Sequence, residues 1–175
     1  MKRLLALTLL FAFLLCGCQN TSEEAKPIEM EEVPLSESYG MTATIHYNEF
    51  EMTALVDKDQ PGHYNIELTE PESLAGMMLD ITDDQVAITY KGITADFDPD
   101  SIAGSAIAKG LIGVLNTVAG EQGISASLQD GTFTLSGEND MGAFTLTLDA
   151  ESGSLLALEI PSENLSVEFS DFIPR

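Results

Sequence analysis

The side chains in this sequence that could do chemistry are few: two histidines, two cysteines and a short run of aspartates. An imidazole acts as a general base only with a reacting partner in hydrogen-bond reach. His46 alternates with apolar neighbours and stands opposite Glu51 if Asn48-Glu49 turns the chain, which makes a surface pair rather than a dyad. His63 follows Pro61-Gly62 and reads as a turn residue. Asp96-Phe97-Asp98-Pro99-Asp100 has the D-x-D-x-D opening of a calcium loop. Ser101 then stands where an EF-hand needs Gly, and Ile107 where it needs Glu. The same acids read better as the start of a helix. No nucleophile elbow, phosphate loop or zinc spacing occurs. The chain reads as a non-enzyme without cofactor or metal.

Cys16 and Cys18 have no other thiol or nearby imidazole with which to hold a metal. Their setting points elsewhere. Lys2 and Arg3 precede an apolar run from Leu4 to Leu15, too short for a membrane span and right for a signal peptide. Leu15-Cys16-Gly17-Cys18 resembles the bacterial lipobox, with Cys16 where Ala, Ser or Thr is usual. The resemblance implies that residues 1–17 are removed and that Cys18 carries diacylglycerol on sulfur, with palmitate as the further acyl chain. Such an anchor holds a protein at the extracytoplasmic face of the cell membrane. In a two-membrane cell, Gln19 lacks the Asp that signals inner-membrane retention, which favours the outer membrane. An ordinary secretory signal with an incidental Cys is the alternative.

The 175 residues fit one domain at about 100–200 residues each. A formal charge of −22 excludes a phosphate-backbone partner, because nucleic acids need clustered Lys and Arg. Losing Lys2 and Arg3 moves that charge to −24. The 44% apolar content excludes a disordered acidic tail. Residues 18–40 hold six Glu, one Lys and two Pro without a clear apolar period, and read as an acidic tether. A short helical turn near Ile28 to Val33 is compatible with it.

Residues 41–175 form the expected folded domain. Met41, Ala43, Ile45 and Tyr47 alternate with polar residues, the period of a half-buried strand. Asn48-Glu49 as a turn sets Tyr47, Ile45, Ala43 and Met41 against Phe50, Met52, Ala54 and Val56. Lys91-Gly92 sets Tyr90, Ile88 and Val86 against Ile93, Ala95 and Phe97. Asp130-Gly131, the strongest hairpin signal, sets Leu128 and Ala126 against Phe133 and Leu135. Asn139-Asp140 is expected to set Leu135 against Phe144 and Phe133 against Leu146. A loop at Pro161 to Asn164 is expected to set Ile160, Leu158 and Leu156 against Leu165, Val167 and Phe169. Pro61-Gly62 and Ser152-Gly153 mark two further turns. About eleven antiparallel strands result, counting a weak one at Met77 to Ile81, with one apolar face and one Thr/Ser-rich face.

One apolar helix, about residues 100–119, interrupts the strands. Asp98-Pro99-Asp100-Ser101 supplies an N-cap, a first-turn Pro and favourable charge. A helix this apolar must be buried on more than one side. Its small residues, Gly110 and Gly113 among them, suit close packing on the concave face of the sheet. A membrane span is the competing reading, opposed by Lys109, Asn116 and the glycines.

Six strands, a helix opening with Asp-Pro, then five strands resembles the periplasmic outer-membrane lipoprotein carriers. It also resembles the lipid-anchored receptor that pairs with them and the mycobacterial cell-wall lipoproteins. His63-Tyr64-Asn65-Ile66-Glu67-Leu68-Thr69-Glu70-Pro71 resembles their strand-then-Pro segment, and Asp83 to Tyr90 the next hairpin. Asp149-Ala150-Glu151-Ser152-Gly153 resembles their late Asp-x-x-Thr-Gly loop, and Val167 to Phe172 the closing strand. The resemblance spans about Met41 to Phe172. It implies a mainly β (α+β) half-barrel with the helix on its concave face. It also implies a hydrophobic ligand, lipid or lipoprotein acyl chains, between sheet and helix. Carriers place a basic residue near the cavity mouth, and this chain has no Arg between Arg3 and Arg175. Candidate lining residues are Met41, Phe50, Met52, Met77, Met78, Ile107, Leu111, Phe133 and Phe144, which otherwise form plain core. The alternative function is an extracytoplasmic interaction or sensor module with a solid core.

Overall fold

Alternating apolar residues separated by short turns can only fold back on themselves, so each strand finds its sequence neighbour first. The structure, a computed structural model, describes residues 26–82, 85–97, 106–120 and 123–175, with backbone alone at 106–109. Its strands are β1 (Lys26–Ile28), β2 (Tyr39–Tyr47), β3 (Phe50–Gln60), β4 (His63–Glu70), β5 (Met78–Ile81), β6 (Val86–Tyr90) and β7 (Ile93–Phe97). After helix α1 (Ala106–Ala119) come β8 (Ser125–Gln129), β9 (Thr132–Asn139), β10 (Gly142–Asp149), β11 (Leu155–Ile160) and β12 (Leu165–Pro174). They form one antiparallel sheet in the order β1-β8-β9-β10-β11-β12-β2-β3-β4-β5-β6-β7. The sheet stays open, with β1 and β7 at its edges, and the helix lies on its concave side. This is the expected half-barrel.

The two halves of the chain join where β12 pairs with β2, setting Val167 against Ile45 and Phe169 against Ala43. Three tight hairpins have the expected register, including Ile45 with Met52, Ile88 with Ala95 and Leu128 with Phe133. Each turns on residues in the left-handed region, Asn48, Lys91-Gly92 and Asp130-Gly131.

Two expectations are corrected, and one short strand is added to the expected set. The β9–β10 hairpin turns at Asp140-Met141, so Leu135 faces Leu146 and Phe133 faces Leu148. The register moves by two residues, which keeps the apolar face. Asn139 Oδ1 accepts the Met141 N–H at 2.9 Å, and Gly142 takes φ +114°. Gly137 then stands opposite Phe144, where a Cβ would lie 2.8 Å from the ring. In β11 an irregularity between Leu155 and Ala157 turns Leu156 outward, so it does not share a face with Phe169. Finally, a twelfth strand lies within residues 18–40. Lys26–Ile28 pairs with β8, a 3-10 turn follows at Met30–Glu32, and Val33 is buried.

The helix buries Leu111, Ile112, Val114, Leu115 and Val118 against the concave face. Gly110 is required there. A Cβ at that position would sit 2.5 Å from Leu165 Cδ2 and 3.3 Å from Ile160 Cδ1. Among the described residues no helix is long and apolar enough to cross a membrane. The proposed helix cap at Asp98 to Ser101, the calcium-like run beyond Phe97, and Cys18 with its signal segment lie outside the described residues.

Candidate functional site

Period two along β3 puts Met52, Ala54, Val56 and Lys58 on one face, so a lysine points where the core would continue. Tyr39 occupies the matching position on β2, paired with Lys58. At this end the last turn of the helix and the sheet together line a cavity of about 310 Å³. Leu115, Val118 and Ala119 of α1 form one wall, and Leu146 and Leu155 another. Leu35 to Glu37, ahead of β2, close the third side, with Lys58 and Tyr39 at the polar end.

The segment ahead of β2 is held at several points. Leu35 packs on the core, and Pro34 passes directly over Gly153, where any Cβ would collide with the Pro34 carbonyl. Gly153 has φ +70° and needs glycine for that reason as well. Its loop is tied by the Asp149 carboxylate, which accepts the Ser152 N–H and Oγ–H, each at 2.7 Å. The Ser152 bonds, from side chain and then backbone, hold that carboxyl below its ordinary range. On the other side the Arg175 guanidinium grips Asp57 through both nitrogens, and the Arg175 N–H donates to Ser38 O at 3.0 Å. Phe172 stacks at a tilt on Tyr39, centroids 5.2 Å apart.

Lys58 is only 6% exposed. Its Nζ lies 5.5 Å from the Tyr39 ring centroid and 6.0 Å from that of Tyr64, within cation–π reach. Burial lowers its pKa, and the negative charge of Glu37 works against that. The Tyr64 hydroxyl donates to Asn116 Oδ1 of the helix at 2.9 Å. Burial, and then the neighbouring Tyr64 phenol, push the Tyr39 hydroxyl far above the ordinary phenol range.

The candidates from sequence lie elsewhere. Met41, Leu111, Phe133 and Phe144 are buried core, and Met52 is half-buried against it. Met77 is half-buried just before β5. Ile107 lies on the first turn of α1, its side chain outside the described residues. Phe50 is 69% exposed because it ends its strand at the β2–β3 turn. Met78 is 49% exposed, since Leu79 and Ile81 take the concave positions of β5. None of the described candidates lines the cavity. The lining residues Lys58 and Tyr39 were missed, although strand parity marks both.

His46 Nδ1 lies 3.4 Å from Glu51 on the surface, the expected pair. His63 is more than a turn residue. Its ring is held between Asp59, 2.7 Å from Nδ1, and Asp80, 3.1 Å from Nε2. Among the described residues no group of three His, Cys, Asp or Glu side chains converges as a metal site.

No family profile and no curated protein sequence matches the chain. Solved structures do. An uncharacterized conserved protein from Thermus thermophilus shares the fold at 15% identity, with 83% of this chain and 85% of that one covered and a TM-score of 0.51. The LolA superfamily protein NE2245 from Nitrosomonas europaea is similar at 9% identity, 83% and 91% coverage and a TM-score of 0.42. The Mycobacterium tuberculosis lipoprotein LppX is similar at 11% identity, 82% and 90% coverage and a TM-score of 0.42. The likeness to the Thermus thermophilus protein shows a shared fold.

Proposed function

We propose that this chain is an extracytoplasmic lipoprotein, anchored in the membrane through Cys18, that binds lipid or lipoprotein acyl chains between sheet and helix. The observation that carries this reading is the cavity of about 310 Å³ walled by Leu115, Val118, Leu146 and Leu155. A partly open, mainly apolar cleft of this size between helix and sheet is the kind of space in which a ligand's alkyl chain can be buried. The lipobox-like Leu15-Cys16-Gly17-Cys18 supports the anchor. The acidic charge suits a domain held off anionic headgroups rather than lying on them.

Two measurements test it. Mass spectrometry of the Cys18 peptide from membranes is expected to show diacylglycerol, and an unmodified thiol in a secreted form would contradict the anchor. Native mass spectrometry of the detergent-free chain is expected to show bound lipid. A chain that stays unliganded when offered lipid would contradict the cavity's role.

A further inference from the structure

Lys58 buries its stem while its ammonium opens on the cavity, since no enclosed side-chain nitrogen or oxygen among the described residues lacks a hydrogen-bond partner. Lys58 is the one charged side chain among the buried described residues. Among the described residues no carboxylate comes within ion-pair distance of its Nζ. Glu37 acts on it electrostatically from the exposed rim of the cavity. The two tyrosines offer ring faces, and the Tyr64 hydroxyl is engaged elsewhere, donating to Asn116. An ammonium has three donors, and π-faces satisfy its charge better than its hydrogen-bonding capacity.

These groups stand at one end of a mainly apolar cavity, with Ser36 and Glu37 beside them on its polar side and Leu115, Val118, Leu146 and Leu155 forming the carbon walls. Its volume is at the lower limit of ligand cavities, about 300–1,000 Å³, which suits one chain rather than two. We propose that the cavity selects a single-chain anionic amphiphile. The carboxylate head accepts from Lys58 Nζ, and the alkyl chain runs along Leu115, Val118, Leu146 and Leu155. This rests on the ligand-binding reading above and names the ligand's class. Desolvation of Lys58 is consistent with it, because a partly dehydrated ammonium binds an incoming carboxylate in a low-dielectric setting.

The test is calorimetric titration of the full chain with dodecanoate, dodecanol and acetate at neutral pH, repeated on Lys58→Met. Dodecanoate is expected to bind at least about tenfold tighter than dodecanol. Lys58→Met is expected to remove that preference while keeping dodecanol binding. Equal binding of acid and alcohol by the unmodified chain would overturn the headgroup assignment and leave the ligand-binding reading intact. Acetate binding as tightly as dodecanoate would show a free-anion site and overturn the amphiphile. Failure of both alkyl probes would overturn the cavity reading and this proposal together.

Discussion

The two arms of the sheet carry the same alternating pattern and end differently. From β9 through β12 to β3, the inward residues Leu135, Leu146, Leu158, Ile160 and Val56 are almost fully buried. At the far edge, β7 places Ile93, Ala95 and Phe97 on the same concave parity, yet every residue of that strand is exposed. Alternation therefore chooses a face. Burial depends on what is packed against that face, which a strand's own sequence does not encode. The cavity lies at the edge of the covered arm, where the end of the helix and the segment before β2 take over from each other.

Substitutions should separate the arms. Leu146→Ala removes a fully buried side chain at the cavity wall and is expected to cost about 2–5 kcal/mol by denaturant unfolding. Ile93→Ala, 74% exposed on β7, is expected to stay within about 0.5 kcal/mol. Equal costs would break the contrast. Gly110→Val is expected to cost about 1–3 kcal/mol by forcing the helix off Leu165 and Ile160. Lys58→Met is expected to leave stability unchanged or raise it by about 1 kcal/mol, since an apolar side chain of similar length replaces a buried charge. A large loss there would mean that Lys58 holds the fold rather than a ligand.

The smallest effect belongs to His63, which joins β3, β4 and β5 through Asp59 and Asp80. Desolvation pulls its pKa down, but the hydrogen bonds and charges of the two aspartates outweigh it, so the net shift is upward. A raised pKa means that the folded state holds the proton more tightly. The contribution is complete below the unfolded value of about 6.5 and is lost as pH rises through the folded value. As an exposed pair it is worth at most about 1 kcal/mol. An NMR titration of His63 in Asp59→Asn and Asp80→Asn chains is expected to show a lower midpoint than in the unmodified chain. An unmoved midpoint would mean that the two aspartates do not raise it.

Much of this fold is legible in the sequence because its turns are local. Asn48, Lys91 and Asp130 each sit where two-residue turns need positive φ, and registers followed from them. The β9–β10 register depended on Gly137 making room for Phe144, a contact across strands. The irregularity that turns Leu156 out is an extra residue in β11, seen only in its pairing with β10. The site was harder to see. Its third wall is residues 35–37, which read as tether because β1 finds its partner β8 only in the folded chain. Lys58 was visible as a lysine on the apolar parity of β3. Its meaning came from Tyr39 and Tyr64, whose rings approach it only once β2, β3 and β4 are paired.

The central claim is that the covered arm, and not the open one, holds an alkyl chain. A photo-crosslinking amino acid placed at Leu115, and separately at Ile93, with a fatty-acid probe tests this directly. The predicted result is a lipid adduct at position 115 and only background labelling at 93. Background labelling at 115, or equal labelling at both positions, would contradict it.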